Sequence, residues 1–219
     1  YSYGFEKPSP IQKKAILPIF NKTDIVAQAQ SGTGKTGCFV VGVLQLIDVN
    51  LNKTQGIILS PTRELSLQIK KVIDSLGNMM KKLKTQLLVG GQSIETDINE
   101  LKSNPHIIIG CPGRVYDMLT RRRLLIDNLK IFVLDEADEM LSYGFKDQIY
   151  TIFQFLPTDI QLALFSATMP SSIENLVEKL MIKPKKILVK AEQLTLEGIE
   201  QYYVALENDK DKYSALKDL

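Results

Sequence analysis

The sequence predicts an α/β fold in which a parallel β-sheet is covered by helices on both faces. Seven short apolar runs recur along the chain, and the segments between them carry apolar residues at spacings of three and four positions. Within the runs, successive positions are apolar, which is typical of strands that are buried on both faces. Strands of this kind that alternate with helices form parallel sheets.

The seven runs give the predicted strands in chain order. They are residues 24–28, 56–60, 86–89, 106–110, 131–134, 162–166 and 186–189. Between the second and third runs, the spacing of Leu65, Ile69 and Val72 predicts a helix, and Ile173, Leu176 and Val177 predict another before the last run. Ligands of parallel sheets bind beyond the carboxyl ends of the strands, so the residues that follow each run are the candidates for a functional site.

The composition agrees with a folded domain and excludes several classes of protein. Of the 219 residues, 44% are hydrophobic, and 27 Lys or Arg stand against 25 Asp or Glu, which excludes a disordered chain. One histidine and two distant cysteines, Cys38 and Cys111, exclude a zinc ribbon and a disulfide scaffold. The most apolar stretch, residues 38–47, is shorter than the roughly 18 residues of a membrane span, so we expect no membrane association.

The pattern changes after residue 189, and this change predicts the domain organisation. Residues 1–189 are expected to form one domain, and the polar stretch 190–198 is expected to be a linker. Residues 199–219 then predict a strand, at 201–206, and an amphipathic helix, which would be the first elements of a second domain. The chain starts at Tyr and ends without a helix cap, so we expect it to be a fragment.

A phosphate-binding loop follows the first strand. Its residues are Ala29, Gln30, Ser31, Gly32, Thr33, Gly34, Lys35 and Thr36. The glycines let backbone N–H groups turn toward phosphate oxygens, Lys35 can reach the β- and γ-phosphates, and the Thr36 hydroxyl can bind Mg²⁺. The pattern normally opens with Gly, and Ala29 departs from it. The same glycines fit a dinucleotide-binding motif, but the second strand ends without the acidic residue that would hold the ribose.

Three carboxylates follow the fifth strand, at Asp135, Glu136 and Asp138. We expect Asp135 to hold the Mg²⁺ ion together with Thr36, and Glu136 to orient the water that attacks the γ-phosphate. The sequence therefore predicts ATP and Mg²⁺ as cofactors, with Lys35, Asp135 and Glu136 as the catalytic residues.

Taken together, the phosphate loop and Asp135-Glu136-Ala137-Asp138 resemble the motifs of the DEAD-box ATP-dependent RNA helicases, and the resemblance covers nearly the whole chain. It implies a RecA-like P-loop domain and an activity in which ATP hydrolysis is coupled to RNA binding and local duplex unwinding. Strings such as residues 144–150 and 194–199 resemble the translation initiation factor four-A branch, and the exon-junction helicase shares most of them. An ATP-gated RNA clamp of the exon-junction type and a P-loop ATPase of another class are the alternatives.

The resemblance also assigns roles to residues outside the phosphate loop. Phe5 and Gln12 resemble the Q motif, whose Phe stacks on adenine and whose Gln reads the adenine edge. The loops after the second, third and fourth strands would hold RNA phosphates without reading bases, through Pro61, Thr62, Arg63, Gly90, Gly91, Pro112, Gly113 and Arg114. Taken singly, Arg63 and Arg114 are more typical of helix-capping or ion-pair residues, and only the full set of motifs favours the RNA role. Cys111 replaces the family's usual Thr, which weakens any phosphate contact at that position.

Four further expectations concern coupling, a second domain, partners and the basic runs. Ser166 and Thr168 resemble the family's coupling motif, whose hydroxyls hydrogen-bond the acidic motif, here at Asp138. A second RecA-like domain in cis, mostly absent from this chain, would supply arginines to the γ-phosphate, so this half alone is expected to be nearly inactive. RNA and initiation-factor scaffold proteins are the expected partners, in the cytoplasm, or in the nucleus for the exon-junction type. Among the basic runs, residues 121–123 have the best chance of touching RNA.

Overall fold

The computed structural model describes residues 6–30, 32–142, 144–187, 202–206 and 208–218. The chain divides into two compact units, Tyr1–Val189 and Lys190–Leu219. The described residues of the first unit form seven parallel strands and eight α-helices. In chain order these elements are α1 (Pro10–Phe20), β1 (Ile25–Gln28), α2 (Lys35–Leu46), β2 (Gly56–Leu59), α3 (Arg63–Leu76), β3 (Thr85–Leu88), α4 (Ile94–Leu101), β4 (Ile107–Gly110), α5 (Pro112–Thr120), β5 (Ile131–Leu134), α6 (Ala137–Ser142), α7 (Lys146–Phe155), β6 (Gln161–Ser166), α8 (Ser171–Leu180) and β7 (Lys185–Ile187).

The strands form a single sheet in the order β3-β4-β2-β5-β6-β1-β7, and every neighbouring pair is parallel. Each strand lies within one or two residues of its predicted position. The register aligns the carboxyl ends, with Gln28 opposite Ser166 and Leu59 opposite both Gly110 and Leu134. The predicted α/β class with a parallel sheet is confirmed, and the loops that follow the strands share one edge.

The sheet from β1 to β6 is buried on both faces because alternate residues of these strands enter two separate hydrophobic cores, whereas the edge strand β7 buries only Ile187. On one face Ile58, Val133 and Phe165 pack against α1, α2 and α3. On the other face Phe132 and Leu164 pack against α4 to α8. Apolar side chains at successive strand positions are therefore needed by both cores, which explains the continuous apolar runs in the sequence.

The second unit contains less regular structure in its described residues. A 3₁₀ turn spans Asp209–Asp211, and the helix α9 spans Lys212–Asp218, where a helix was expected. Residues 202–206 have no regular secondary structure, so the strand predicted at 201–206 is not formed there. A β-strand requires a second strand to pair with, and the expectation rested on side-chain pattern alone. The predicted linker, residues 190–198, lies outside the described residues. No helix in the described ranges combines the length and apolarity needed to cross a bilayer.

His106 joins the amino-terminal ends of three strands. Its Nδ1 atom accepts a hydrogen bond from the Lys84 N–H at 2.9 Å, and its carbonyl oxygen accepts one from the Gln55 N–H at 2.8 Å. The imidazole is 1% exposed. Burial lowers the pKa of His106, and the nearby positive charge of Lys84 lowers it further. The structure thus gives the single histidine a structural role.

We expect the pKa of His106 to contribute to acid unfolding. The pKa of His106 is lower in the folded state than in the unfolded state, where it is about 6.5. The neutral ring therefore contributes its full stability above pH 6.5, and this contribution is lost as the pH falls toward the pKa of the folded state. NMR titration of the one imidazole should give a pKa below 6.5. The unfolding free energy of a His106→Gln variant should fall less steeply with decreasing pH. Equal slopes for the two proteins would contradict the expectation.

Candidate nucleotide-binding site

The phosphate loop connects β1 to α2 and ends in a helix terminus suited to anions. Gly32 and Gly34 have φ values of 82° and 94°, which residues with a Cβ rarely adopt. Gly34 is the N-cap of α2 and provides no side-chain acceptor for the amides of the first helical turn. Unpaired N–H groups at the positive end of a helix are the usual binding site for phosphate. Ser31 lies outside the described residues.

Gln12 connects the start of α1 to this loop. Its Oε1 atom accepts a hydrogen bond from the Ser9 N–H at 2.9 Å, and its Nε2 atom donates to the Gly34 carbonyl at 3.2 Å. A Cβ at position 34 would lie 2.8 Å from Gln12 Nε2, so the contact also requires glycine there. The predicted adenine contact of Gln12 stays a prediction. Phe5, its predicted partner, lies outside the described residues.

Lys35 and Glu136 form a salt bridge across the carboxyl edge of the sheet. Lys35 Nζ lies 2.7 Å from Glu136 Oε1, and the two side chains are 4% and 13% exposed. The sequence assigned Lys35 to phosphate and Glu136 to water, so their direct contact was not anticipated. Glu136 has a φ of 52°, a conformation that is costly for a residue with a long side chain. The β5–α6 turn thus holds the carboxylate toward the phosphate loop.

Asp135 is buried next to this pair. Its side chain is 4% exposed, and its Oδ1 atom accepts a hydrogen bond from the Glu136 N–H at 3.2 Å. Burial raises the pKa of Asp135 to about 7, although the charge of Lys35 lowers it, and the neighbouring carboxylate of Glu136 raises it again. A second positive charge near Asp135 would therefore stabilise its ionised form.

The chemistry of these side chains fits a Mg²⁺ ion that is bound together with a nucleotide. Among the described residues, no group of three or more His, Cys, Asp or Glu side chains could hold a metal. Mg²⁺ commonly takes one or two carboxylates, and phosphate oxygens and water supply its other ligands. Asp135 and the hydroxyl of Thr36, in the first turn of α2, would supply such a partial set.

Asp138 links the acidic turn to the end of β6. Its Oδ2 atom accepts hydrogen bonds from the Thr168 N–H at 3.0 Å and the Thr168 hydroxyl at 2.7 Å, and its own N–H donates to Ser166 Oγ at 3.3 Å. Burial raises the pKa of Asp138, but the hydrogen bonds from Thr168 and Ser166 outweigh burial and the pKa is lowered. The hydrogen bonds implied by the resemblance are present. The coupling role stays a prediction.

The loops after β2 and β3 lie close together on the same edge. Thr62 caps α3 by accepting a hydrogen bond from the Leu65 N–H at 3.2 Å, and Pro61 before it is buried. Arg63 is exposed and reaches the β3–α4 loop, where a Cβ at Gly91 would lie 3.2 Å from Arg63 Nη1. Gly90 has open space around it. These loops therefore expose backbone to solvent, together with a guanidinium that forms no salt bridge within the described ranges.

The loop after β4 differs because its arginine is already paired. Arg114 forms a salt bridge with Asp97 of α4 and donates from Nη2 to the Gln92 carbonyl at 2.8 Å. Asp97 is 1% exposed, and burial raises its pKa although Arg114 lowers it. Of the two roles open for Arg114, the structure therefore shows the ion pair. Asp97 was missed, because an acid in the first turn of a helix is normally exposed.

The other two residues predicted in this loop lie at the start of α5. Pro112 is buried and Gly113 is half-buried, and the N-cap Cys111 makes no side-chain hydrogen bond to the helix. The basic run 121–123 lies at the opposite end of α5, after nine helical residues or roughly 13 Å. It therefore does not share an edge with the predicted RNA loops, and an RNA contact continuous with them is not supported.

Removing Arg114 should destabilise the fold, whereas removing Arg63 should not. Arg114→Ala leaves Asp97 buried and unpaired, which we expect to lower the unfolding free energy by about 3 kcal/mol. Arg63→Ala removes an exposed side chain at the first residue of α3 and should change the unfolding free energy by less than about 0.5 kcal/mol. Urea unfolding followed by circular dichroism measures both. Similar losses for the two variants would contradict the role assigned to Arg114.

Comparisons with known proteins agree with this arrangement. The chain is 55% identical over 219 residues to eukaryotic initiation factor 4A of Cryptosporidium parvum and 53% identical to initiation factor 4A-1 of Arabidopsis thaliana. These matches cover 100% of this chain and 54% and 53% of the relatives, so the chain spans about half the length of the curated relatives it matches.

Solved structures resemble the chain over nearly its whole length. A DEAD box protein from Methanococcus jannaschii has a TM-score of 0.82 at 40% sequence identity. The match covers 99% of this chain and 58% of the Methanococcus jannaschii chain. A structure of S. cerevisiae Dbp5 bound to RNA and ADP BeF3 has a TM-score of 0.87 at 34% sequence identity. That match covers 100% of this chain and 55% of the Dbp5 chain. The RecA-like fold is thereby confirmed. Residues 9–176 match the DEAD/DEAH box helicase family, and the chain belongs to that family.

Proposed function

We propose that this chain is the nucleotide-binding half of an ATP-dependent RNA helicase that acts in translation initiation. The observation that carries the proposal is the meeting of Lys35, Asp135 and Glu136 at the carboxyl ends of β1 and β5. A cation, a buried acid and a second carboxylate beside a phosphate loop are the groups that phosphoryl transfer requires. The similarity to initiation factor 4A sequences supports the biological role.

Phosphate binding would exchange the partner of Lys35. The β- and γ-phosphates would occupy the N-terminus of α2, where their charge replaces that of Glu136 as the partner of the buried ammonium group. Glu136 would then be released to accept a hydrogen bond from the attacking water. Mg²⁺, when bound through Asp135 and Thr36, supplies charge neutralisation at the phosphate oxygens. The salt bridge would thus hold both side chains in position until nucleotide binds.

A cavity beside Gln12 supports adenine as the base. It measures about 210 Å³ and is lined by Pro8, Gln12, Ile16, Gly37 and Val41, together with residues 6–7. Its walls are mostly apolar and one amide lies at its edge, which is the usual composition of a pocket for a planar heterocycle. The same amide is bonded to Gly34, so contacts to the base and to the phosphate loop would be linked.

RNA would bind along the loops after β2, β3 and β4. Arg63, the exposed glycines and the N-termini of α3 and α5 offer positive charge and backbone N–H groups to phosphates. These groups do not distinguish bases, so binding would be independent of sequence and would weaken with salt. Pro112 and Gly113 would contribute backbone, while Arg114 would hold the loop through Asp97.

The hydrogen bonds of Asp138 would connect the acidic turn to domain closure through Ser166 and Thr168. The remainder of the protein would supply a second RecA-like domain, whose arginine reaches the γ-phosphate. Such an arginine accelerates hydrolysis by about 10³ to 10⁵, so this half alone should turn over ATP very slowly. Scaffold proteins of translation initiation in the cytoplasm would be its partners.

Calorimetric titration of the 219-residue chain with Mg²⁺ and ADP tests the nucleotide site. We expect the wild-type chain to bind ADP weakly. The Lys35→Ala substitution should lower the affinity for ADP by at least about tenfold, because the phosphates lose their charge partner. Gln12→Ala should weaken binding by a smaller factor. Lys13→Ala changes the next, exposed residue of α1 and is the matched control.

Three outcomes would count against the proposal. These are ADP binding by Lys35→Ala equal to that of the wild type, an equal loss in Lys13→Ala, and rapid ATP turnover by this chain alone. Thermal unfolding of each variant identifies any loss that comes from misfolding.

A further inference from the structure

A cavity lined by basic residues lies at the edge of the sheet opposite the nucleotide site. It measures about 190 Å³ and opens between the C-terminal end of α4 and the loop after α5, beside the start of β2. Lys53, Lys102, Arg122 and Arg123 line it. We call it the basic cavity. Neither the phosphate loop nor the predicted RNA loops reach this edge, so the proposed function does not use these charges.

The positive charges of the basic cavity are not paired within the part of the chain that the structure describes. No Asp or Glu is among its described lining residues, and Lys53, Arg122 and Arg123 form no salt bridge with described residues. The Lys102 ammonium group donates to the neutral amide oxygen of Asn99 at 2.8 Å and forms no salt bridge with described residues. The cavity therefore concentrates four unpaired positive charges.

Helix dipoles account for only part of this charge. Cations are favoured at helix C-termini, and the basic cavity lies at the C-terminal ends of α4 and α5. Each terminus carries roughly half a negative charge, so two termini offset about one of the four positive charges. Lys53 precedes β2 and follows no helix end directly. A net charge of about three therefore remains for a ligand.

Hydrogen bonds at the end of α5 fix the backbone of the two arginines. The Arg122 N–H donates to the Leu119 carbonyl and the Arg123 N–H donates to the Met118 carbonyl, both at 2.9 Å. Arg122 has a φ of 54°, in the left-handed region where a helix end normally has glycine. An arginine thus occupies a position that glycine would fill with less strain.

The rest of the lining is aliphatic apart from Thr54 and Asn104. Leu101 and Leu124 are 6% and 3% exposed, whereas Leu125 is 53% exposed, and Ile98 completes this wall. No aromatic side chain is among the described lining residues, so the cavity lacks the stacking surfaces on which unpaired bases bind. Aliphatic walls beside cations instead match an aliphatic side chain flanked by carboxylates.

We propose that the basic cavity binds an acidic segment of a partner protein. Carboxylates of the segment pair with Arg122, Arg123, Lys53 and Lys102, and an aliphatic side chain of the segment packs against Leu124 and the other aliphatic residues. Because the basic cavity lies opposite the nucleotide edge, the partner can remain bound while nucleotide and RNA exchange.

Fluorescence anisotropy of a labelled peptide tests this proposal. The probe is a short fluorescein-labelled peptide of Asp and Glu with a central leucine, titrated with the 219-residue chain. Arg122→Gly removes one charge and suits the left-handed backbone, so it should fold normally and bind about three- to tenfold more weakly. Arg123→Ser and Leu125→Ser should also weaken binding.

Arg121→Ser is the matched control. It removes the same charge from the same run, but Arg121 is paired with Asp117 and does not line the cavity. The affinity of the Arg121→Ser variant for the labelled peptide should stay within about twofold of the wild-type affinity. Equal weakening by Arg121→Ser, no loss when serine replaces the leucine of the probe, or absence of binding would each overturn the proposal. Displacement of the peptide by single-stranded RNA of equal charge at equal concentration would assign the cavity to nucleic acid instead.

Discussion

The salt bridge between Lys35 and Glu136 is the interaction on which the geometry of the nucleotide site depends. It joins the loop after β1 to the turn after β5, and β6 lies between these strands in the sheet. A buried ion pair contributes little net stability, but either ion left alone in this environment is strongly unfavourable. Each side chain must therefore always have a partner of opposite charge, and under the proposed function that requirement would link the position of Glu136 to the presence of phosphate.

The environments of the neighbouring acids reflect the same constraint, which is that a buried charge needs a compensating partner. Asp135 shares the buried region, and its raised pKa records how poorly a further negative charge is tolerated there. Asp138, in the same turn, is stable as an anion because the Thr168 N–H and hydroxyl donate to its carboxylate, while Ser166 Oγ accepts from its backbone N–H. The three carboxylates of one turn thus differ in environment, with one paired, one desolvated and one hydrogen-bonded. Differences of this kind allow neighbouring acids to have separate roles.

Much of the fold, and the positions of the loops that form the candidate nucleotide site, could be predicted from the sequence because short-range patterns encode them. Strands buried on both faces require continuous apolar runs, and the phosphate loop requires glycines before a helix. The pairs Lys35–Glu136 and Arg114–Asp97 could not be predicted, because each depends on the distance between loops that are far apart in sequence. Residues 202–206 have the alternation of a strand without forming one, since pairing depends on a second segment.

The candidate nucleotide site and the predicted RNA loops both lie at the carboxyl edge of the sheet, and the strand order places them in separate halves of that edge. The phosphate and acidic motifs follow β1, β5 and β6, whereas the predicted RNA loops follow β2, β3 and β4. The halves meet where β2 pairs with β5, and the Asp135 N–H donates to the Leu59 carbonyl at 2.9 Å. The architecture is therefore modular, because the loops after β2, β3 and β4 can vary in sequence and length without altering the strands that hold the other candidate site.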